Sequence, residues 1–138
     1  MVVIAREKGI TVSVPWEQIL QEHGNISVEQ TYRILITNSV FKESRRTPFA
    51  QQQKLVDRHG CVIPTVQEYL ALCVFTNKVF QKCLYRAGNG QTPWTYGRSS
   101  THVENYPLIV GGSAPARVDV HDDSFDAEDC GVGGRREL

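Results

Sequence analysis

Apolar and polar positions follow two different periods along this chain, and the change of period divides it. In "TVQEYLALCVFTNKVFQKCLY" the positions Val66, Leu70, Cys73, Asn77, Phe80 and Leu84 recur at helical spacing. Thr65 and Glu68 stand three apart at its start, a T-x-x-E capping box. The spacing predicts a helix, and the apolar run from Leu70 to Phe75 predicts burial on more than one face, across a sheet. A charged residue at Leu70 is therefore expected to cost several kcal/mol, from a cavity and a buried charge together. From Trp94 onward the period falls to two. Leu108 and Val110 alternate with Ile109, and Val118 and Val120 alternate with Asp119. Short strands are expected in "WTYGRSS", "YPLIVGG", "ARVDVH" and "GVGGRREL", after a loop at "AGNGQTPW".

The first sixty residues carry weaker patterns. "VVIAREKGITVSV" holds two β-rich runs broken by Gly9 and predicts a strand or hairpin. Pro15 opens a short helix, "PWEQILQEH", with Trp16, Ile19 and Leu20 on one face and Gly24 past its end. Ser27 and Gln30 form an S-x-x-Q box ahead of "TYRILITNSV". We read that segment as a helix, although Ile34, Ile36 and Val40 would also suit a strand. "TPFAQQQKLVDRHG" predicts a further helix ending at Gly60. Helical layers first and a small antiparallel sheet last describe one α+β domain over 1–138, with a helical scaffold in 1–91 and strands in 92–138. A chain of 138 residues buries enough surface to fold without metal or disulfide.

Charge and reactive side chains narrow the function. The formal net charge is zero, which argues against nucleic acid as a partner. Basic residues gather at Lys42, Arg45, Arg46, Lys54 and Arg58; acidic ones gather at Asp119, Asp122, Asp123, Asp126, Glu128 and Asp129. The acidic run "VDVHDDSFDAED" does not match a calcium loop, and the glycine-rich pieces lack the strand–loop–helix order of a phosphate loop. Cys61, Cys73, Cys83 and Cys130 contain no C-x-x-C pair and read as thiols of a reduced chain. His23 and His59 fall near helix ends; His102 and His121 fall in two late loops with no triad around them. No cofactor and no metal are expected. No secretory signal and no membrane span are read either, which suits a cytoplasmic, virion or surface-associated protein.

The step "VIPTVQEYLAL" together with the tail resembles C-type lectin-like domains of the formylglycine-generating-enzyme type. Those domains share an R-L-P-T-x-x-E-W/L step, matched here by Ile63, Pro64, Thr65 and Glu68. They continue with a W-x-x-S-S/T strand, a middle apolar strand and a terminal G-V/F-R strand. Trp94, Ser99, Ser100, "YPLIV" and "GVGGRREL" stand in those places, so the likeness covers residues 61–138. It implies helices packed on a small antiparallel sheet with C-terminal binding loops. The enzymes of that group are far longer and carry a reactive cysteine pair near the end, whereas this tail holds only Cys130.

A branch closer in size is the variable proteins of diversity-generating retroelements. These are non-enzymatic binders whose C-terminal codons are randomised at template adenines. Randomised codons there end in a fixed C and cannot encode Lys, Gln, Met, Trp or Glu. All five Lys, all nine Gln and the single Met of this chain lie at or before residue 91. Trp94, Glu104, Glu128 and Glu137 would then be fixed scaffold. The variable, ligand-binding positions implied are Tyr96, His102, Val103, Asn105, His121, Asp123, Ser124, Phe125, Asp126 and Cys130. His102, Val103 and Asn105 are expected to lie exposed and side by side near the "HDDSF" loop. The expected partner is a protein or another macromolecule. The other readings are a calcium-dependent carbohydrate binder, a small oxidase-like domain, and a structural virion or surface component.

Overall fold

A computed structural model describes residues 2–14, 17–23, 32–82, 96–114, 116–124 and 130–138. It is an α+β arrangement organised around one helix and one sheet. The helix α4 spans Val66–Phe80 and begins where the capping box predicts. The Glu68 N–H donates to Thr65 Oγ1 at 3.3 Å, and the Thr65 N–H donates to the Glu68 carboxylate at 2.7 Å. A further free donor of the first turn, Val66 N–H, reaches Thr101 Oγ1 at 3.1 Å. Val66, Tyr69, Leu70 and Cys73 are buried against Val12, Val103, Leu108, Val110, Val118 and Val120, the main core.

The apolar partners come from a four-stranded sheet in the order β1-β5-β4-β3. Its strands are β1 (Thr11–Ser13), β3 (Gly97–Val103), β4 (Tyr106–Ala114) and β5 (Arg117–Asp122). The last three form an antiparallel meander, as the alternation predicts, but β1 joins β5 in parallel. The sheet is therefore mixed rather than wholly antiparallel. A second, two-stranded sheet pairs β2 (Ile34–Ile36) with β6 (Arg135–Glu137).

Two elements differ from the sequence expectation. Val2–Glu7 is a helix, α1, not a strand. Gly9 is its left-handed cap at φ +71°, with Gly9 N–H donating to Arg6 O and Ile10 N–H to Ala5 O. That bond pair is a Schellman end, and its apolar partners Ala5 and Ile10 are both buried. The glycine thus closes a helix where it had been read as breaking a strand. Residues 34 to 36 form a strand rather than a helix because the chain's C-terminus returns beside them. Thr37 N–H donates to Gly134 O and Leu138 N–H to Arg33 O on either side of the ladder.

Two further helices complete the described scaffold. α2 (Glu17–His23) buries Ile19 in the core. α3 (Phe49–Arg58) ends at Gly60, φ +63°, in a second Schellman arrangement. Trp16, the Ser27–Gln30 box and the "AGNGQTPW" segment lie outside the described residues.

Residues 130 to 134 run as a buried strap between these parts. Gly131 bridges Gly97 in parallel, Val132 N–H donates to Ser44 Oγ at 3.0 Å, and Gly133 N–H donates to the Tyr69 hydroxyl at 2.8 Å. A Cβ on Gly131 would fall 2.8 Å from Ser44 Oγ, so no side chain fits there.

Candidate functional site

The strand period gives the sheet two unlike faces. Leu108, Val110, Val118 and Val120 point to α4. Their neighbours Ile109, Gly111, Asp119 and His121 therefore point the other way. Register pairs Arg98 with Ile109, Ile109 with His121, and Gly111 with Asp119, so these residues form rows on the outer face.

Glycine at 111 lets an aromatic ring lie on the sheet. A Cβ there would meet Tyr96 Cδ1 at 2.7 Å. The Tyr96 ring meets the His121 ring edge-on, with centroids 6.3 Å apart and planes at 78°. Its hydroxyl lies within the electrostatic reach of the Asp119 carboxylate. Burial, and then the Asp119 charge, push the Tyr96 phenol above its ordinary value. Asp119 is itself buried and accepts from Arg117 Nε at 2.9 Å.

Lower on the same face, Arg98 and Asp123 form a buried ion pair, with side chains 1% and 3% exposed. Arg98 Nη1 also donates to Thr47 O at 3.1 Å, and Asp123 N–H donates to Pro107 O at 3.0 Å. The pair ties the start of the "HDDSF" loop to β3, β4 and the turn before α3.

At the hairpin end, β3 and β4 are joined through Glu104 and Asn105, with Val103 opposite Tyr106. Glu104 takes φ +54°, the left-handed value that such a tight turn needs. The hairpin is two residues long, so "HVEN" is half strand and half turn rather than a loop.

His102 pairs with Pro107 and so lies on the outer face, where its ring meets Phe49 edge-on at 5.4 Å. Its Nδ1 lies 3.0 Å from Ser100 O, a carbonyl that only accepts, so this contact is a hydrogen bond in the tautomer with Nδ1 protonated. An open groove of about 280 Å³ runs beside it between α3 and β3, lined by Phe49, Asp57, Ile63, Ser100, His102 and Arg135.

Of the ten positions implied by the resemblance, Asn105, Ser124 and His102 are exposed, and Tyr96 and His121 are half-buried. Asp123 N–H bonding to Pro107 O places Ser124 at the same end of the sheet as His102 and Asn105. Three of the ten are buried, which for Val103 differs from the exposure expected of it. Val103 is 2% exposed because successive strand residues face opposite ways, and it joins the core while His102 does not. Asp123 is buried in its pair with Arg98. Cys130 is 1% exposed in the strap, where its carbonyl accepts from Gln52 Nε2 at 3.2 Å. Phe125 and Asp126 lie outside the described residues.

Sequence reasoning missed Arg98, Gly111, Asp119 and a wider role for Glu68. Glu68 caps α4 and also meets Arg135 Nε at 3.2 Å and the Tyr32 hydroxyl at 3.3 Å. No local signal in Val118-Asp119-Val120 marks Asp119 as an interior charge, because alternation puts it on the face opposite the valines without saying what covers that face.

Among the described residues, no three His, Cys, Asp or Glu side chains converge as a metal set, and no helix is long and apolar enough to cross a membrane. Compared with known protein families, curated proteins and solved structures, the chain matches none.

Proposed function

We propose that this chain is a non-enzymatic ligand-binding module with a C-type lectin-like fold, similar to the variable proteins of diversity-generating retroelements. In this reading the scaffold is residues 1–91 and the recognition surface is built on the strands of 92–138. One observation carries it. The stretch free of Lys, Gln and Met supplies β3, β4 and β5, and the accessible positions Tyr96, His102, Asn105, His121 and Ser124 lie on or beside those strands. Side chains held by a rigid sheet lose little further freedom on binding, which favours them as recognition residues. Tyr96 and His121 offer flat rings, and His102, Asn105 and Ser124 offer adaptable hydrogen bonding. The partner is a protein or another macromolecule. Val103, Asp123 and Cys130 are assigned to scaffold, because changing them would disturb the core, the Arg98 pair and the strap.

The test is the DNA beside the gene. A near-copy of the 3′ coding end should lie near a reverse-transcriptase gene and differ from the coding copy at adenines. Its differing codons should include those for Tyr96, His102, Asn105, His121 or Ser124. Absence of any such repeat removes the reading. A repeat whose differences fall on Val103, Asp123 and Cys130 would contradict the division into surface and scaffold.

A further inference from the structure

The two sheets end in very different edges. The outer edge of β3 is closed along its first half: Arg98 N–H donates to Gly131 O at 2.8 Å and Ser100 N–H to Pro64 O at 2.9 Å. An irregularity between Arg98 and His102 bends what remains. Among the described residues, β2 has no such protection. In its ladder with β6 the hydrogen-bonded positions are the odd ones, as Thr37 N–H to Gly134 O and Leu138 N–H to Arg33 O show. The N–H and C=O groups of Ile34 and Ile36 therefore point away from β6, and they meet no partner among the described residues. The strand reads Ile-Leu-Ile, with no charge, proline or bulge in it. Natural edges left this way invite another strand.

We propose that β2 is a strand-addition surface and that its occupant is a second copy of this chain, paired antiparallel about a two-fold axis through Leu35. That register is self-complementary. Ile34 of each copy exchanges both backbone hydrogen bonds with Ile36 of the other, which uses the groups left open. Leu35 faces Leu35 as the non-hydrogen-bonded pair, with Cα atoms about 4.5 Å apart. Arg33 faces Thr37 and Tyr32 faces Asn38, so no like charges oppose each other.

Arg136, the remaining cation beside Leu35, is drawn off by the His59 and Gly60 carbonyls, at 2.9 and 3.1 Å. Pairing covers Leu35, which is 58% exposed in a single copy. It also fuses two two-stranded ribbons, each marginal by itself, into one four-stranded sheet. This inference is independent of the ligand-binding reading, because β2 lies in the scaffold half of the chain.

Light scattering after size exclusion should show the full chain moving from one copy towards two between about 1 μM and about 500 μM, the range of a small interface. Leu35→Lys places two cations on the axis and should stay a single copy throughout, with far-UV circular dichroism and dilute melting temperature unchanged. Leu35→Cys should form, on mild oxidation, a disulfide between the two introduced thiols, identified by peptide mass. A wild-type chain that stays single at every concentration overturns the proposal, whatever else binds that edge. So does a Leu35→Lys dimer as strong as wild type, or a Leu35→Cys chain that dimerises without that cross-link.

Discussion

The two faces of the four-stranded sheet are built from the same strands and follow opposite rules. Against α4 the sheet presents Leu108, Val110, Val118 and Val120, and close apolar packing carries the interaction, beside one hydrogen bond from Val66 N–H to Thr101 Oγ1. On the outer face it presents Arg98, Asp119, His121 and the ring of Tyr96 resting on Gly111. Polar there does not mean wet. Arg98, Asp119 and Asp123 are as buried as the valines, and each charge has a partner of opposite sign. Two physical logics follow. The inner face tolerates exchange among apolar residues of similar volume, while the outer face depends on particular pairs whose loss strands a charge.

The sharpest way to break this comparison is to remove one charge of the buried pair. Asp123→Ala leaves the Arg98 guanidinium without its carboxylate at a site 1% exposed. A loss of about 3–5 kcal/mol is expected, read as a lower urea midpoint. Replacing both partners, Arg98→Met with Asp123→Leu, should recover much of that, since no charge is then left buried. If Asp123→Ala costs less than about 1 kcal/mol, the outer face behaves as ordinary surface and the contrast fails.

Gly111→Ala is the next largest. The added Cβ falls 2.7 Å from the Tyr96 ring, which must then move off the sheet and away from Asp119. The expected cost is about 1–3 kcal/mol, by overpacking. In a Tyr96→Ala background the same change should cost little, so a double-mutant cycle measures the ring's contact directly. Equal costs in both backgrounds would mean that the ring does not rest there.

These two sites also mark the limit of what the sequence reveals. The inner face was legible: helical spacing from Val66 and the capping box located α4, alternation located β4 and β5, and the strand expected in "WTYGRSS" covers the first half of β3. That alternation says which residues share a face, but not what covers the face. Arg98 in "GRSS" and Asp123 in "HDDSF" stand 25 residues apart, so no local pattern reveals their partnership. Val103 was misplaced by treating "HVEN" as a loop, whereas a two-residue hairpin keeps strand alternation up to residue 103.

At the other end of the chain, the Gly9–Ile10 step held a Schellman signal that β-branched Val2, Val3 and Ile4 obscured. The strand at Ile34–Ile36 depends on a partner a hundred residues away, which no local pattern contains.

Tyr96 separates the faces by pH. Its phenol is raised above 10.0 by burial first and by Asp119 second. The folded chain holds that proton more tightly than the unfolded chain does. Stability from this group is therefore intact below pH 10 and lost as pH rises through the raised value. Urea midpoints measured from pH 8 upward should fall more steeply for wild type than for Tyr96→Phe. Tyr32, raised by burial and by Glu68, keeps part of the slope in both proteins. Identical slopes would place the Tyr96 phenol in solvent, against the close packing on Gly111.

The smallest effect on stability is expected where the outer face reaches the hairpin end. His102, Asn105 and Ser124 are exposed within a few residues of Val103 and Asp123, which are not. The fold asks little of them: His102 contributes a ring contact with Phe49 and a bond within its own strand, and the hairpin's strained φ belongs to Glu104. Alanine at each should shift unfolding free energy by no more than about 0.5 kcal/mol, and the three shifts should add. Chemical denaturation of the triple variant checks this. A loss above about 2 kcal/mol would make the hairpin end as structural as the Arg98–Asp123 pair. It would then have no freedom to vary, and a recognition surface would have to be sought on Tyr96 and His121 alone.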